Sequence, residues 1–317
     1  MHVRSLSTSD EFERYVDFAE DVYRDNQYWV PTDKHHLTRI LAGEAGFGPG
    51  SKVQSFWVEE SDKILARVTA LNDEAYDRHW QERMGHLLFF EALPDQDLAV
   101  DSLIDEACEW LQAQGCNTAR LSLLPGLQLP LTIDAYDAVP TIFHTYNRPY
   151  YHSYIKNSRF TTELGVVQYQ IQFTPELAAR YQQMVKQATD NGVSLRSWDL
   201  DHLEDETEIF FDIGNETFSA HFGFMPLPMP VYRGLTVEFK DFLLEDFTLF
   251  AEVDGKAVGF VYSLPDLNQA LHPMRGKSIE ENGEEFEQHM KAIDHGVLLI
   301  IGVKRDHRGA AADGVRQ

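Results

Sequence analysis

Phe247-Thr-Leu-Phe-Ala-Glu-Val253, Asp254-Gly255 and Lys256-Ala-Val-Gly-Phe-Val-Tyr-Ser263 decide the reading of this chain. Two runs rich in β-branched and aromatic residues flank an Asp-Gly pair, which accepts the positive φ that a two-residue turn demands, so together they predict a β-hairpin. Downstream, Val297-Leu-Leu-Ile-Ile-Gly-Val303 is a short, uninterrupted apolar run and predicts a buried strand. It passes directly into Lys304-Arg-Asp-His-Arg308-Gly309-Ala-Ala-Ala312. A strand that empties into a basic turn of small residues lets backbone N–H groups approach a pyrophosphate closely.

The hairpin has a counterpart near the start of the chain. Phe56-Trp-Val-Glu-Glu-Ser-Asp-Lys-Ile-Leu-Ala-Arg-Val68 matches Leu249-Phe-Ala-Glu-Val-Asp-Gly-Lys-Ala-Val-Gly-Phe-Val261 in pattern, which suggests one fold used twice. The first copy continues into a second apolar strand, Gly85 to Leu93, but leaves it through Pro94-Asp-Gln-Asp97. A helix start carrying Asp95 or Asp97 has its positive end taken by the protein's own carboxylate and repels a pyrophosphate, so the first copy reads as scaffold. Val167-Gln-Tyr-Gln-Ile-Gln-Phe173 alternates apolar and polar residues and predicts a half-buried strand closing that copy. We therefore divide the chain near Thr174, into 1–174 and 175–317.

The hairpin, the strand and a Val-x-x-x-x-Arg-Gly-x-(small) run carried by Val303, Arg308, Gly309 and Ala311 resemble the acyl-CoA-binding core of the GNAT N-acetyltransferases. The repeat is similar to the double-domain members of that family. The resemblance implies an α/β fold of two mixed-sheet domains with flanking helices, acetyl-CoA as co-substrate, a small-molecule amine as acceptor, and no metal. It also implies that the carrier's arm lies along Val297–Val303 against backbone groups of Ile301 and Val303, with the pyrophosphate at Arg308, Gly309, Ala310 and Ala311. Phe222, Phe224, Met225 and Met229 fall where the family lines its acceptor pocket, although a Phe and Met cluster is more often core. In this fold a capping helix, further strands and a helix-borne, thiol-protonating tyrosine follow the loop. With the last residue at Gln317, the resemblance leads us to expect a truncated second domain that lacks this acid. The family loop is Arg/Gln-x-x-Gly-x-Gly/Ala, and counting from Arg308 its small positions fall on Ala311 and Asp313. That departure keeps a second reading in view, an inert ligand-binding or scaffold protein on the same fold.

Transfer to an amine needs a base. Glu252 on the hairpin, and Asp294 and His295 at the entrance to the last strand, are the candidates, each also readable as a surface group. The resemblance places Tyr150, Tyr151 and Tyr154 where a complete first copy would carry its own tyrosine, but the first copy lacks a phosphate loop, so packing at a core edge is the reading we take for them.

Among the chain's 317 residues, a net charge of -24 argues against a nucleic-acid or anionic-membrane partner and suits a cationic acceptor or simply a solvated surface. Cys108 and Cys116 are too few for a disulfide framework or a zinc site. The N-terminus lacks the apolar core of a signal peptide, so the expected compartment is the cytoplasm. Thr8-Ser-Asp-Glu11 predicts a capping box opening the first helix. Ser278 to Ile293 predicts an acidic helical insert beside the second hairpin.

Overall fold

A computed structural model describes residues 1–31, 34–42, 50–121, 131–238 and 240–308. Nine strands are found among them: β1 His2–Ser5, β2 Lys52–Glu60, β3 Lys63–Asn72, β4 Met84–Ala92, β5 Thr118–Leu121, β6 Val193–Ser197, β7 Thr248–Val253, β8 Lys256–Pro265 and β9 Gly296–Val303. The helices are α1 Ser9–Tyr23, α2 Lys34–Leu41, α3 Glu74–Trp80, α4 Asp97–Ala113, α5 Tyr151–Asn157, α6 Pro175–Asp190, α7 Leu203–Phe218, α8 Met229–Glu238, α9 Asn268–Met274 and α10 Gly283–Met290. None of these is long and apolar enough to cross a membrane.

The chain forms two compact units, 1–166 with 266–293, and 167–265 with 294–317. The first holds a sheet of order β1-β2-β3-β4-β5 and the second a sheet of order β6-β7-β8-β9. The leading strands of each sheet are antiparallel neighbours in the same succession, so the repeat read from sequence is a repeat of topology. Both hairpin turns take the positive φ that their residues allow, Ser61 and Asp62 at 51° and 63°, Asp254 and Gly255 at 51° and 72°. The register slips by one residue between Val58 and Glu59 in the first hairpin, and at the matching place, between Ala251 and Glu252, in the second.

In the first unit, α1 begins with the expected box: Thr8 accepts from the Glu11 amide while Glu11 accepts from the Thr8 amide. α4 lays Val100, Leu103, Ala107 and Leu111 on the sheet, all at most 1% exposed. The backbone of β4 approaches that helix closely at Gly85, where an added Cβ would lie 2.6 Å from the Leu111 side chain. In the second unit the core is aromatic. Trp198 stacks on Phe250 with centroids 5.1 Å apart, and Phe210 packs between Phe260 and Tyr262 at 4.6 and 5.6 Å.

Two expectations are corrected. Residues 167–173 belong to no strand, and Val167, Tyr169, Ile171 and Phe173 are 60–82% exposed. Alternation records a preference for a half-buried surface but names no partner strand. The acidic insert forms a shorter helix than expected, Gly283–Met290, and its segment packs within the first unit. There Ile142 N–H donates to Asp266 at 2.8 Å and the Asn268 amide donates to the Pro140 carbonyl at 2.8 Å.

Substituting Gly85→Ala forces β4 and α4 apart and is expected to cost about 1–3 kcal/mol, the usual range for overpacking. Urea unfolding followed by far-UV circular dichroism will show an unchanged midpoint if the contact yields instead.

Candidate functional site

The end of β9 is the place to build from, because its hydrogen bonding decides which backbone groups remain for a ligand. Lys304 N–H donates to the Val258 carbonyl at 2.8 Å, and Gly302 stands opposite Phe260. In an antiparallel ladder, hydrogen-bonded pairs alternate with pairs whose N–H and C=O groups point away. Ile301 and Val303, the residues between and beside these pairs, therefore turn their peptide groups away from β8. β9 is the last strand of its sheet, so among the described residues those groups face an edge that no strand occupies. The Ile301 side chain is 59% exposed on the same strand.

The first unit repeats this geometry. Leu93 N–H donates to the Leu65 carbonyl at 2.9 Å, the bond that Lys304 makes to Val258, and Ala92 takes the place of Val303. Here, however, the outward groups are already bonded. The Ala92 amide donates to the Tyr151 hydroxyl at 2.8 Å, and the Ala92 carbonyl accepts from the Tyr150 hydroxyl at 2.8 Å. Tyr154 closes the exit turn, donating to the Leu93 carbonyl at 2.7 Å and accepting from the Gln96 amide at 2.8 Å. Behind them Glu91 accepts from Tyr23 and Tyr151, at 2.9 and 2.5 Å. Burial pushes the Glu91 carboxyl upward, opposed by the Arg67 guanidinium, and holds the Tyr151 phenol well above its usual range. The tyrosines that sequence reading assigned to packing thus serve as fixed hydrogen-bond partners of the strand end.

Beyond β9 the second unit is basic but guarded. The Lys304 ammonium pairs with Asp212 at 2.6 Å, and the Arg305 amide donates to Glu216 at 3.2 Å. Arg308 turns back along the strand, its Nε donating to the Val303 carbonyl at 2.8 Å. Both carboxylates come from α7, whose role at this turn no sequence motif signals. Gly309, Ala310 and Ala311 lie outside the described residues.

The remaining candidates are scattered. Asp294 and His295 form a close pair at the other end of β9, Nδ1 to Oδ1 2.5 Å, with the ring's Nε2 3.2 Å from the Gln170 amide nitrogen. Glu252 is on β7, separated from β9 by β8, and its carboxylate accepts from Arg196 Nε at 2.6 Å. Arg196 also reaches Glu206 at 2.9 Å and lies over the Phe250 ring at 4.9 Å. The first unit holds the same arrangement, Arg4 bonded to Glu59 at 3.0 Å and set over Trp57 at 5.8 Å. Of the acceptor candidates, Met225 is buried at 5% exposure, Phe222 stands 47% exposed, and Phe224 and Met229 are half-buried. No group of three or more His, Cys, Asp or Glu able to hold a metal ion occurs among the described residues.

No family model matches the chain. It is 22% identical over 312 residues to a bacterial ceramide synthase of Caulobacter vibrioides, covering 96% of this chain and 81% of that one. It is also 22% identical over 284 residues to protein YghO of Escherichia coli, covering 86% and 70%. Among solved structures, the GCN5-related glucosamine N-acetyltransferase region of a fungal multi-domain β-N-acetylglucosaminidase superposes on 98% of this chain with a TM-score of 0.56 at 13% identity. The chain spans 32% of that protein's length. A tandem GNAT protein from clavulanic acid biosynthesis covers 98% of this chain and 82% of its own at a TM-score of 0.49. The fold is thus that of the GCN5-related N-acetyltransferases, as the resemblance in sequence implied.

Replacing Arg196 with Ala leaves Glu206, 5% exposed, without its cation. The expected loss is about 1–3 kcal/mol of stability, below the range for a wholly buried pair because Arg196 is 32% exposed. Thermal unfolding at neutral pH is the check, and an unshifted midpoint counts against the pair.

Proposed function

We propose that this chain is an acyl-CoA-dependent N-acyltransferase whose working site is the open edge of β9, with the first unit serving as scaffold. The observation that carries this reading is the contrast between two matched strand ends. Ala92 has both outward groups bonded by tyrosine hydroxyls, whereas Ile301 faces an unoccupied edge and the Val303 carbonyl there accepts from the exposed Arg308 side chain. A pantetheine arm, which carries two amides, can add to such an edge as an extra strand does. Its pyrophosphate then falls at Arg308 and the backbone of Gly309, Ala310 and Ala311. Acetyl-CoA is the simplest donor. The name of the Caulobacter relative suits the same reaction class, ceramide being an N-acylated amino alcohol.

In this reading His295, held by Asp294, takes the proton from the acceptor ammonium. The freed amine attacks the thioester carbonyl carbon, the C–S bond breaks, the new amide nitrogen gives its second proton to solvent, and the departing thiolate takes one from solvent. Glu252 is assigned a structural role, because the same Arg–Glu pair recurs in the scaffold unit. Phe222, with Phe224 and Met229 beside it, is proposed to line the acceptor side, and Met225 to pack beneath them. The second reading, an inert binding protein, is favoured by the carboxylates of Asp212 and Glu216 at the turn.

Calorimetric titration with acetyl-CoA separates the two readings, and an absence of binding heat would sink the enzyme. Arg308→Ala is expected to weaken binding by about 1.5–3 kcal/mol, the worth of a charged hydrogen bond. Asp95→Ala in the first unit should change nothing, while Glu216→Ala, which frees the Arg305 amide, should tighten binding. With an amine acceptor, His295→Ala should lower kcat by about 100- to 10,000-fold with KM little altered. Glu252→Gln should leave kcat within about twofold if it has no part in proton transfer.

A further inference from the structure

The largest anomaly outside the β9 site is the stretch leading into α6. Val167, Tyr169, Ile171 and Phe173 are 73, 82, 60 and 75% exposed, though large apolar side chains in an alternating row ordinarily find a sheet. The helix that follows buries none of its residues, leaving Tyr181, Met184 and Val185 at 43, 39 and 48% exposure. Phe173 touches Tyr181, centroids 6.3 Å apart, so row and helix form one surface. Together these side chains expose on the order of 800 Å² of mostly apolar area, about what one partner contributes to a standard stable interface.

The sequence of the row names its occupant. Val-Gln-Tyr-Gln-Ile-Gln-Phe is palindromic in polarity about Gln170. When two copies run antiparallel with Gln170 opposite Gln170, Val167 stands opposite Phe173, Tyr169 opposite Ile171 and Gln168 opposite Gln172. All the apolar side chains then share one face and all the glutamines the other, and like pairs with like across the strands. Residues 165–174 contain no charged side chain in a chain of net charge -24, so this stretch can meet a second copy without the repulsion that the rest of the surface imposes. An uncharged, alternating, exposed strand is also the feature that proteins avoid leaving bare.

We propose that the chain is a homodimer joined by antiparallel pairing of Val167–Phe173 across a two-fold axis at Gln170, with the two α6 faces packed against the shared apolar row. The pairing sets the axis beside His295, whose ring lies 3.2 Å from the Gln170 side chain.

Sedimentation velocity of the whole chain from about 1 to 100 μM should show a dimer, since an interface of this size ordinarily gives micromolar affinity or better. Tyr169→Lys with Ile171→Lys places four ammonium groups at the centre of the interface. It should raise the dimer Kd by about 100-fold or more while circular dichroism and the melting temperature hold. Gln170→Cys should form a disulfide-linked dimer on mild oxidation that the unsubstituted chain, with Cys108 and Cys116 in place, does not form. A monomer at 100 μM, open-ended assemblies, a dimer indifferent to the lysines, or a Gln170→Cys variant that fails to cross-link would each overturn the proposal. None of these readouts depends on acyl-CoA binding, so the dimer and the transferase reading stand or fall separately.

Discussion

One backbone hydrogen bond, made twice, orders both halves of this protein. Leu93 to Leu65 and Lys304 to Val258 close the last hydrogen-bonded pair between β3 and β4 and between β8 and β9, and that choice settles the direction of every neighbouring peptide group. A shift of one residue would turn Val303 and Ile301 inward and offer a ligand the groups of Gly302 instead. The matching slip at Val58/Glu59 and Ala251/Glu252 shows that the same register is reached from the first strand pair onward. The paired Arg4–Glu59 and Arg196–Glu252 contacts sit at that slip in both halves, holding the edge strand to the hairpin. Site geometry is thereby inherited from the sheet rather than from the loop beyond it.

Given equal registers, the halves differ in what meets the strand end. In the first, α5 and the residue before it supply hydroxyl groups, and a phenol serves equally well as donor to a carbonyl and acceptor from an amide. Tyr151 and Tyr154 use both capacities, Tyr150 donates, and the half-buried Glu91 fixes Tyr151 in place. A ligand would have to replace several satisfied bonds there and expose a half-buried carboxyl, a cost that no single carrier contact offsets. In the second, the Val303 carbonyl accepts from Arg308, and this side chain and the carboxylates of Asp212 and Glu216 lie at an exposed turn, where solvent screens them and displacement is inexpensive.

Local chemistry was legible and partnership was not. Asp-Gly and Ser-Asp read directly as turns, because their φ preferences act without reference to the rest of the chain. The Thr8–Glu11 box is complete within four residues and needs no tertiary context. Asp212 and Glu216 were invisible as turn-guards because they lie on a helix far upstream in sequence, and only the fold brings α7 beside Arg305. The ion pair of Glu252 was hidden for the same reason: its partner, Arg196, lies on another strand. Residues 167–173 are the sharpest case. Alternation is a property of one strand, whereas a sheet position needs a neighbouring strand, and the described strands pair only with one another.

The path of the chain between β8 and β9 bears on the candidate base. Pro265 and Gly296 are ladder partners, so the chain departs and returns at adjacent points, and residues 266–293 stand where a short turn would suffice. An excursion that begins and ends on a paired rung leaves the register of β8 and β9 unaltered, whatever its length. Asp294 and His295 occupy its returning stem, immediately before the first paired residue of β9. An imidazole there is anchored by the ladder on one side and by its own Asp294 contact on the other, yet remains 47% exposed to an incoming amine. β9 rises about 3.4 Å per residue, which separates His295 from Val303 by roughly 27 Å. A base at that stem can serve only an acyl group carried well back along the strand from the basic turn. The proposed reaction is therefore centred toward the Gly296 end of β9, away from the groups that would hold the phosphates.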